Sequence, residues 1–122
     1  MGKIILIVED DPKSMTLTKD ILKVSGFTTL EAVDGQQGVD MAKTSKPDLI
    51  LMDVMMPKKD GYQACADIKT DPMTKKIPVV MLTALGYQLN EALARRLGAD
   101  GYVTKPFNRE QLIRAISSLL PA

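Results

Sequence analysis

The stretch Leu49-Ile50-Leu51-Met52-Asp53-Val54-Met55-Met56-Pro57 sets one carboxylate in an otherwise apolar run. Burying a carboxylate costs free energy unless something pairs with it or neutralises it. Asp53 therefore calls for a partner, and the chain offers three groups. Glu9-Asp10-Asp11 follows the apolar run Ile4 to Val8, Thr83-Ala84 follows Ile77 to Leu82, and Lys105-Pro106 follows Gly101 to Thr104. If these segment ends meet, Glu9, Asp10 and Asp53 repel one another and Lys105 can offset only one of them. Such a set suits a hard divalent cation, and oxygen ligands without His or Cys favour Mg2+ or Mn2+ over zinc. Taken singly, each residue has a plainer reading: Asp11 as a helix cap, Lys105 as a solvated charge, Thr83 as a strand-end hydroxyl. Pro106 permits a cis bond that would aim Lys105 at the acids.

The elements that must position these residues alternate between strand and helix. Lys3 to Val8 reads as a buried strand. Asp11-Pro12 starts a helix with Met15, Leu17, Ile21, Leu22 and Val24 as its apolar face, closed by Gly26. Phe27 to Ala32 is a second strand, Asp34-Gly35 a turn and Gln36 to Thr44 a second helix burying Val39, Met41 and Ala42. Leu49 to Met52, Ile77 to Leu82 and Gly101 to Thr104 are the remaining strands. Tyr62 to Lys69, Leu89 to Leu97 and a helix capped by Asn108 and running through Leu120 complete the alternation. Five strands alternating with five helices predict an α/β fold, a doubly wound parallel sheet of flavodoxin-like order 2-1-3-4-5, as one domain over 1–122. In that order the strand ends carrying Glu9, Asp10, Asp53, Thr83 and Lys105 share one edge, where ligands of such sheets bind.

Composition narrows the function classes. With 45% hydrophobic and 25% charged residues the chain reads as a soluble globular domain. A net charge of +1 gives no global field for nucleic acid or membrane surfaces. The apolar runs are too short to span a bilayer, and MGKIILIVED reads neither as a signal peptide nor as a myristoylation site. Cys65 is the only cysteine, so no intrachain disulfide can form; this suits a reducing cytoplasm.

The stretches ILIVEDDP, PDLILMDVMMPKKDGY, IPVVMLTA and GADGYVTKPF, in this order and spacing, resemble a response-regulator receiver domain of bacterial two-component signalling. The resemblance spans essentially the whole chain. It implies that Asp53 is the phosphoacceptor, charged by a sensor histidine kinase or a phosphotransfer protein. It implies a Mg2+ site, with Mn2+ as a possible substitute, formed by Asp10, Asp53, the Met55 backbone carbonyl and Glu9, directly or through water. Thr83, Ala84 and Lys105 would contact the phosphoryl group, and Thr83 and Tyr102 would act as the switch. Phosphorylation would shift the face of helix 4, strand 5 and helix 5 for a downstream protein target or output domain. The chain would be a switch and not a turnover enzyme, with no direct nucleic-acid or membrane binding.

Some positions depart from the family pattern. Met55 and Leu85, two residues beyond Asp53 and Thr83, are apolar, which predicts a long-lived phosphorylated form. Gly101 replaces the second acid usual in receivers attached to winged-helix DNA-binding domains, which predicts a monomer or weak dimer. Leu85, Tyr87 and Leu89, with Tyr102, read either as a partner patch or as scattered apolar residues. Tyr102 also reads as core filler, Cys65 as packing, and Lys58-Lys59-Asp60 as a solvated loop. A Mg2+-dependent phosphohydrolase would want a second acid where Met55 stands. A flavin mononucleotide carrier would want a phosphate cradle where Glu9-Asp10-Asp11 would repel the phosphate.

Overall fold

The computed structural model describes residues 2–56, 59–83 and 91–120, with only the backbone of Glu91. Five strands, β1 (Ile4–Val8), β2 (Thr28–Ala32), β3 (Leu49–Asp53), β4 (Val79–Thr83) and β5 (Gly101–Thr104), alternate with five helices. The helices are α1 (Pro12–Val24), α2 (Gly35–Ser45), α3 (Gly61–Thr70), α4 (Glu91–Arg96) and α5 (Arg109–Ser117). All strand pairs are parallel, in the order β2-β1-β3-β4-β5. This is the flavodoxin-like arrangement that the alternation predicts. The start expected for the fourth helix, Leu89, lies outside the described residues.

Successive strand residues point to opposite faces. Leu6, Val8, Ile50, Met52 and Met81 pack in one core cluster with Val39 and Ala42 of α2 and Ala64 and Ile68 of α3. Ile5, Ile7, Leu49, Leu51, Val80 and Leu82 pack in another with Met15 and Leu22 of α1 and Leu112 and Ile116 of α5. Burial on both faces is why the central strands read as unbroken apolar runs. Each fully buried Leu or Ile contributes about 1.5–3 kcal/mol.

Four helices begin on a short polar side chain that accepts from a backbone N–H of the first turn, the geometry of an N-cap. Asp11 accepts from Ser14 at 3.0 Å, Asp34 from Gln37 at 2.8 Å, Asp60 from Gln63 at 2.9 Å and Asn108 from Gln111 at 2.8 Å. The predicted apolar face of α1 is corrected at two positions: Leu17 and Val24 are 57% and 72% exposed. They stand about 200° around the helix from Met15 and Leu22, which are buried, while Thr18 takes a buried place between those two. α5 ends at Ser117, earlier than predicted, where the Leu119 N–H donates to the Ile116 carbonyl in a tighter turn. Lys59 and Asp60 lie in a partly exposed loop, as expected. Lys59 pairs with Asp67, and Asp60 caps α3; Lys58 lies outside the described residues. Cys65 is buried as packing, and burial pushes its thiol up to about 11.

Candidate functional site

The site is assembled by register. Val8 stands opposite Met52, so Glu9 and Asp53 follow at the same height on neighbouring strands. Asp53 stands opposite Leu82, which Thr83 follows, and Thr83 stands opposite Thr104, which Lys105 follows. The Lys105 N–H donates to the Thr83 carbonyl at 2.6 Å, and the Lys105–Pro106 peptide is cis. The Lys105 ammonium ion-pairs with Glu9 and lies 3.9 Å from Oδ2 of Asp53. The sequence pairs Lys105 with Asp53; in the structure Glu9, one methylene longer, meets the ammonium more closely.

One carboxylate oxygen from each of Glu9, Asp10 and Asp53 lies within 4.8 Å of the others. Glu9 and Asp53 are buried, at 1% and 7% exposure, while Asp10 is open to solvent. Burial pushes the Asp53 carboxyl up from 3.8 to about 7, and a hydrogen bond and negative charge from Glu9 push in the same direction. The Lys105 charge and the Met55 backbone N–H, which bonds Asp53, oppose that rise only in part. Three carboxylates against one ammonium leave two formal negative charges in a partly dry site. An all-oxygen donor set with that charge fits a hard divalent ion such as Mg2+.

Thr83 is buried at the β4 end beside this cluster, and Tyr102 on β5 is 45% exposed, which removes the core-filler reading. The Met55 side chain is 59% exposed. Ala84, and the Leu85, Tyr87 and Leu89 patch, lie outside the described residues. Sequence reasoning missed two glycines pressed against neighbouring backbone, one of them at the acceptor strand. An added Cβ at Gly61 would lie 2.3 Å from the Asp53 carbonyl oxygen, and one at Gly35 would lie 2.0 Å from the Lys59 carbonyl oxygen. The only signal in the sequence is that each follows a capping aspartate.

Residues 5–117 match the family described as "Response regulator receiver domain". The chain belongs to the response regulator receiver family. It is a receiver domain of two-component signalling, whose members work with histidine kinases and output domains. It is 43% identical over 116 residues to the transcriptional regulatory protein CpxR of Escherichia coli K12, covering 95% of this chain and 48% of CpxR. The chain thus spans about half the length of that relative. It is 37% identical over 116 residues to protein PilH of Pseudomonas aeruginosa, covering 95% of this chain and 96% of PilH. The receiver domain of the sensor histidine kinase PA1611 from Pseudomonas aeruginosa superposes with a TM-score of 0.89 at 33% identity, over 98% of both chains. That receiver has a magnesium ion coordinated in its active site cleft. Among the described residues of the present receiver, no helix is long and apolar enough to cross a membrane.

Proposed function

We propose that this receiver is a phosphorylation-driven switch in which Asp53 accepts a phosphoryl group from the phosphohistidine of a kinase or phosphotransfer protein. The observation that carries the reading is the buried Asp53 carboxylate, held against Glu9 and Lys105 at the end of the central strand. Glu9, Asp10, Asp53 and the Met55 carbonyl would hold Mg2+. The ion supplies charge neutralisation for the acids and for the incoming phosphoryl oxygens. An Asp53 oxygen forms the new P–O bond as the P–N bond breaks, and the donor imidazole keeps the bonding pair. Such transfer needs positioning and electrostatic stabilisation more than covalent help. Lys105, 3.9 Å from Asp53, would contact a phosphoryl oxygen. Thr83 and Ala84 would complete the contacts to the phosphoryl group.

The chain would act once per phosphorylation, with slow self-dephosphorylation, and not as a turnover enzyme. Thr83 drawn to the phosphoryl group would bias Tyr102, a two-state element set by a local change of charge. The output face would be β5 with its flanking helices, in the cytoplasm. There a groove of about 520 Å3 between β5 and α5 is lined by Tyr102, Thr104, Gln111 and Arg114. The test is intact mass after incubation with acetyl phosphate and Mg2+. One added phosphoryl group, about 80 Da, lost in Asp53→Asn and in excess EDTA, is the expected result. No adduct under conditions that load a control receiver would overturn the reading.

A further inference from the structure

The start of α2 touches the loop that leaves the acceptor strand, and the contact is closer than packing alone requires. Gly35 is the first residue of α2, and it is buried. A Cβ placed there would sit 2.0 Å from the Lys59 carbonyl oxygen, 2.9 Å from its carbon and 3.0 Å from the Lys59 Cβ. The obstacle is a backbone peptide, so no side chain can swing away to make room.

Both sides of this contact are fixed. On the helix side, Asp34 accepts from the Gln37 N–H at 2.8 Å, the Gln37 side chain accepts from the Val33 N–H at 2.7 Å, and the Gly38 N–H donates to the Asp34 carbonyl at 3.0 Å. On the loop side, Lys59 ion-pairs with Asp67 and Asp60 caps α3. The Gly61 N–H donates to the Val54 carbonyl at 2.8 Å, closing the loop at its base. Gly61 itself leaves room for the Asp53 carbonyl, which an added Cβ would approach to 2.3 Å. Between these anchors, the Val54 N–H donates to the Leu82 carbonyl at 3.1 Å, tying the residue after Asp53 to β4. A run of backbone contacts therefore leads from Gly35 through Lys59 and Gly61 to the Asp53 carbonyl and Val54.

We infer that Gly35 is a positioning residue: the first turn of α2 buttresses the Lys59 peptide and thereby holds the Val54–Met55 backbone in the place that metal binding at Asp53 requires. This deepens the proposed function and rests on its Mg2+ site. An alanine at 35 must push the Lys59 peptide by about 1 Å or more. Mg2+ demands near-ideal octahedral geometry at short ligand distances, so a displacement of that size degrades the site.

The test is a Mg2+ titration of 15N-labelled full-length protein, followed through the amide signals of Asp10, Asp53 and Met55. Wild type should saturate; if it does not, the metal reading itself has failed and the inference falls with it. Given saturation, Gly35→Ala should bind Mg2+ at least about tenfold more weakly. Val39→Ala, which loosens α2 without pushing on the loop, should stay within about threefold of wild type. Equal Mg2+ affinity in Gly35→Ala and wild type would overturn the inference. So would equal weakening in both variants, which would mean only loss of helix packing. If Gly35→Ala does not fold, wild type alone decides. Coupling is reciprocal, so Mg2+ should slow hydrogen exchange at the Gln37 and Gly38 amides severalfold. No slowing there would refute the buttress.

Discussion

Replacing Asp53 by asparagine should make the metal-free protein more stable near neutral pH, and the gain should vanish in acid. Asp53 sits at 7% exposure beside Glu9, and its carboxyl is pushed up from 3.8 to about 7. A group whose folded value lies above its unfolded value holds its proton in the folded state. Between those two values the folded chain binds more protons than the unfolded one, so stability falls as pH rises. The contribution is fully present below 3.8 and is lost as pH passes through about 7. The gap of about three units corresponds, at about 1.4 kcal/mol each, to a ceiling of about 4 kcal/mol. The Asp53 side chain keeps 10% of its exposure and sits at the open edge of the sheet. Solvent screening there cuts the figure to about 2 kcal/mol.

An amide of the same shape cannot ionise, so the difference between variant and wild type cancels the titrations remote from this site. It should be near zero at about pH 4 and grow to about 2 kcal/mol near pH 8, or about 8 °C in Tm for a chain of this size. Thermal and urea unfolding in EDTA, at several pH values, measure it. Saturating Mg2+ should shrink or reverse the difference, because the ion binds and stabilises the folded wild type. A variant no more stable than wild type near pH 8, or a difference that does not grow with pH, would show that Asp53 is not charged against its surroundings as argued.

Lys69 should matter at the opposite edge of the sheet. Its ammonium bonds the Ile77 carbonyl at 2.7 Å, the Lys75 carbonyl at 3.2 Å and Asp100 at 2.8 Å. Lys69→Met should therefore cost about 2–3 kcal/mol in urea unfolding, and a loss under about 0.5 kcal/mol would contradict it. The phosphorylated form should persist well beyond seconds with Mg2+ present, and Met55→Asn, which offers a group to orient water, should shorten it severalfold. Decay of wild type within seconds would sink that expectation. On treatment with beryllofluoride the chain should stay monomeric or associate only weakly in light scattering, since Gly101 offers no acid for cross-subunit pairing. A tight dimer would refute it.

The fold was legible because two signals agree along the chain. Strands buried on both faces leave apolar runs such as Ile4 to Val8, and helices leave caps at Asp11 and Asn108. What escaped were features that depend on rotation about a helix axis. Leu17 and Val24 look like core residues in a linear reading, yet Thr18 is buried and they are not. Hydrophobic character alone does not fix which stripe faces the sheet when apolar residues exceed the width of the buried face. The end of α5 was misplaced for a related reason, since apolar Leu119 and Leu120 still pack on the core after the helix has turned.

Parts of the site were legible to different depths, and the reason is the range of the interaction involved. Carboxylates announce themselves, because a charge in an apolar strand demands a partner, and strand order then brings the partners together. Which acid Lys105 meets is decided by a methylene of reach, which the sequence shows only as Glu against Asp. The glycines were the hardest. Asp34-Gly35 reads as a turn and Asp60-Gly61 as part of a loop, and in the structure each pair is instead a cap followed by the first residue of a helix. There the missing side chain makes room for a neighbouring peptide. A contact defined by an absent atom leaves no mark in composition or periodicity. It becomes visible only when a Cβ is placed and its distance to the Lys59 or Asp53 carbonyl is read. If those two glycines hold the loop in register, the charges around Asp53 define what the site binds, while the uncharged residues define how well they are held.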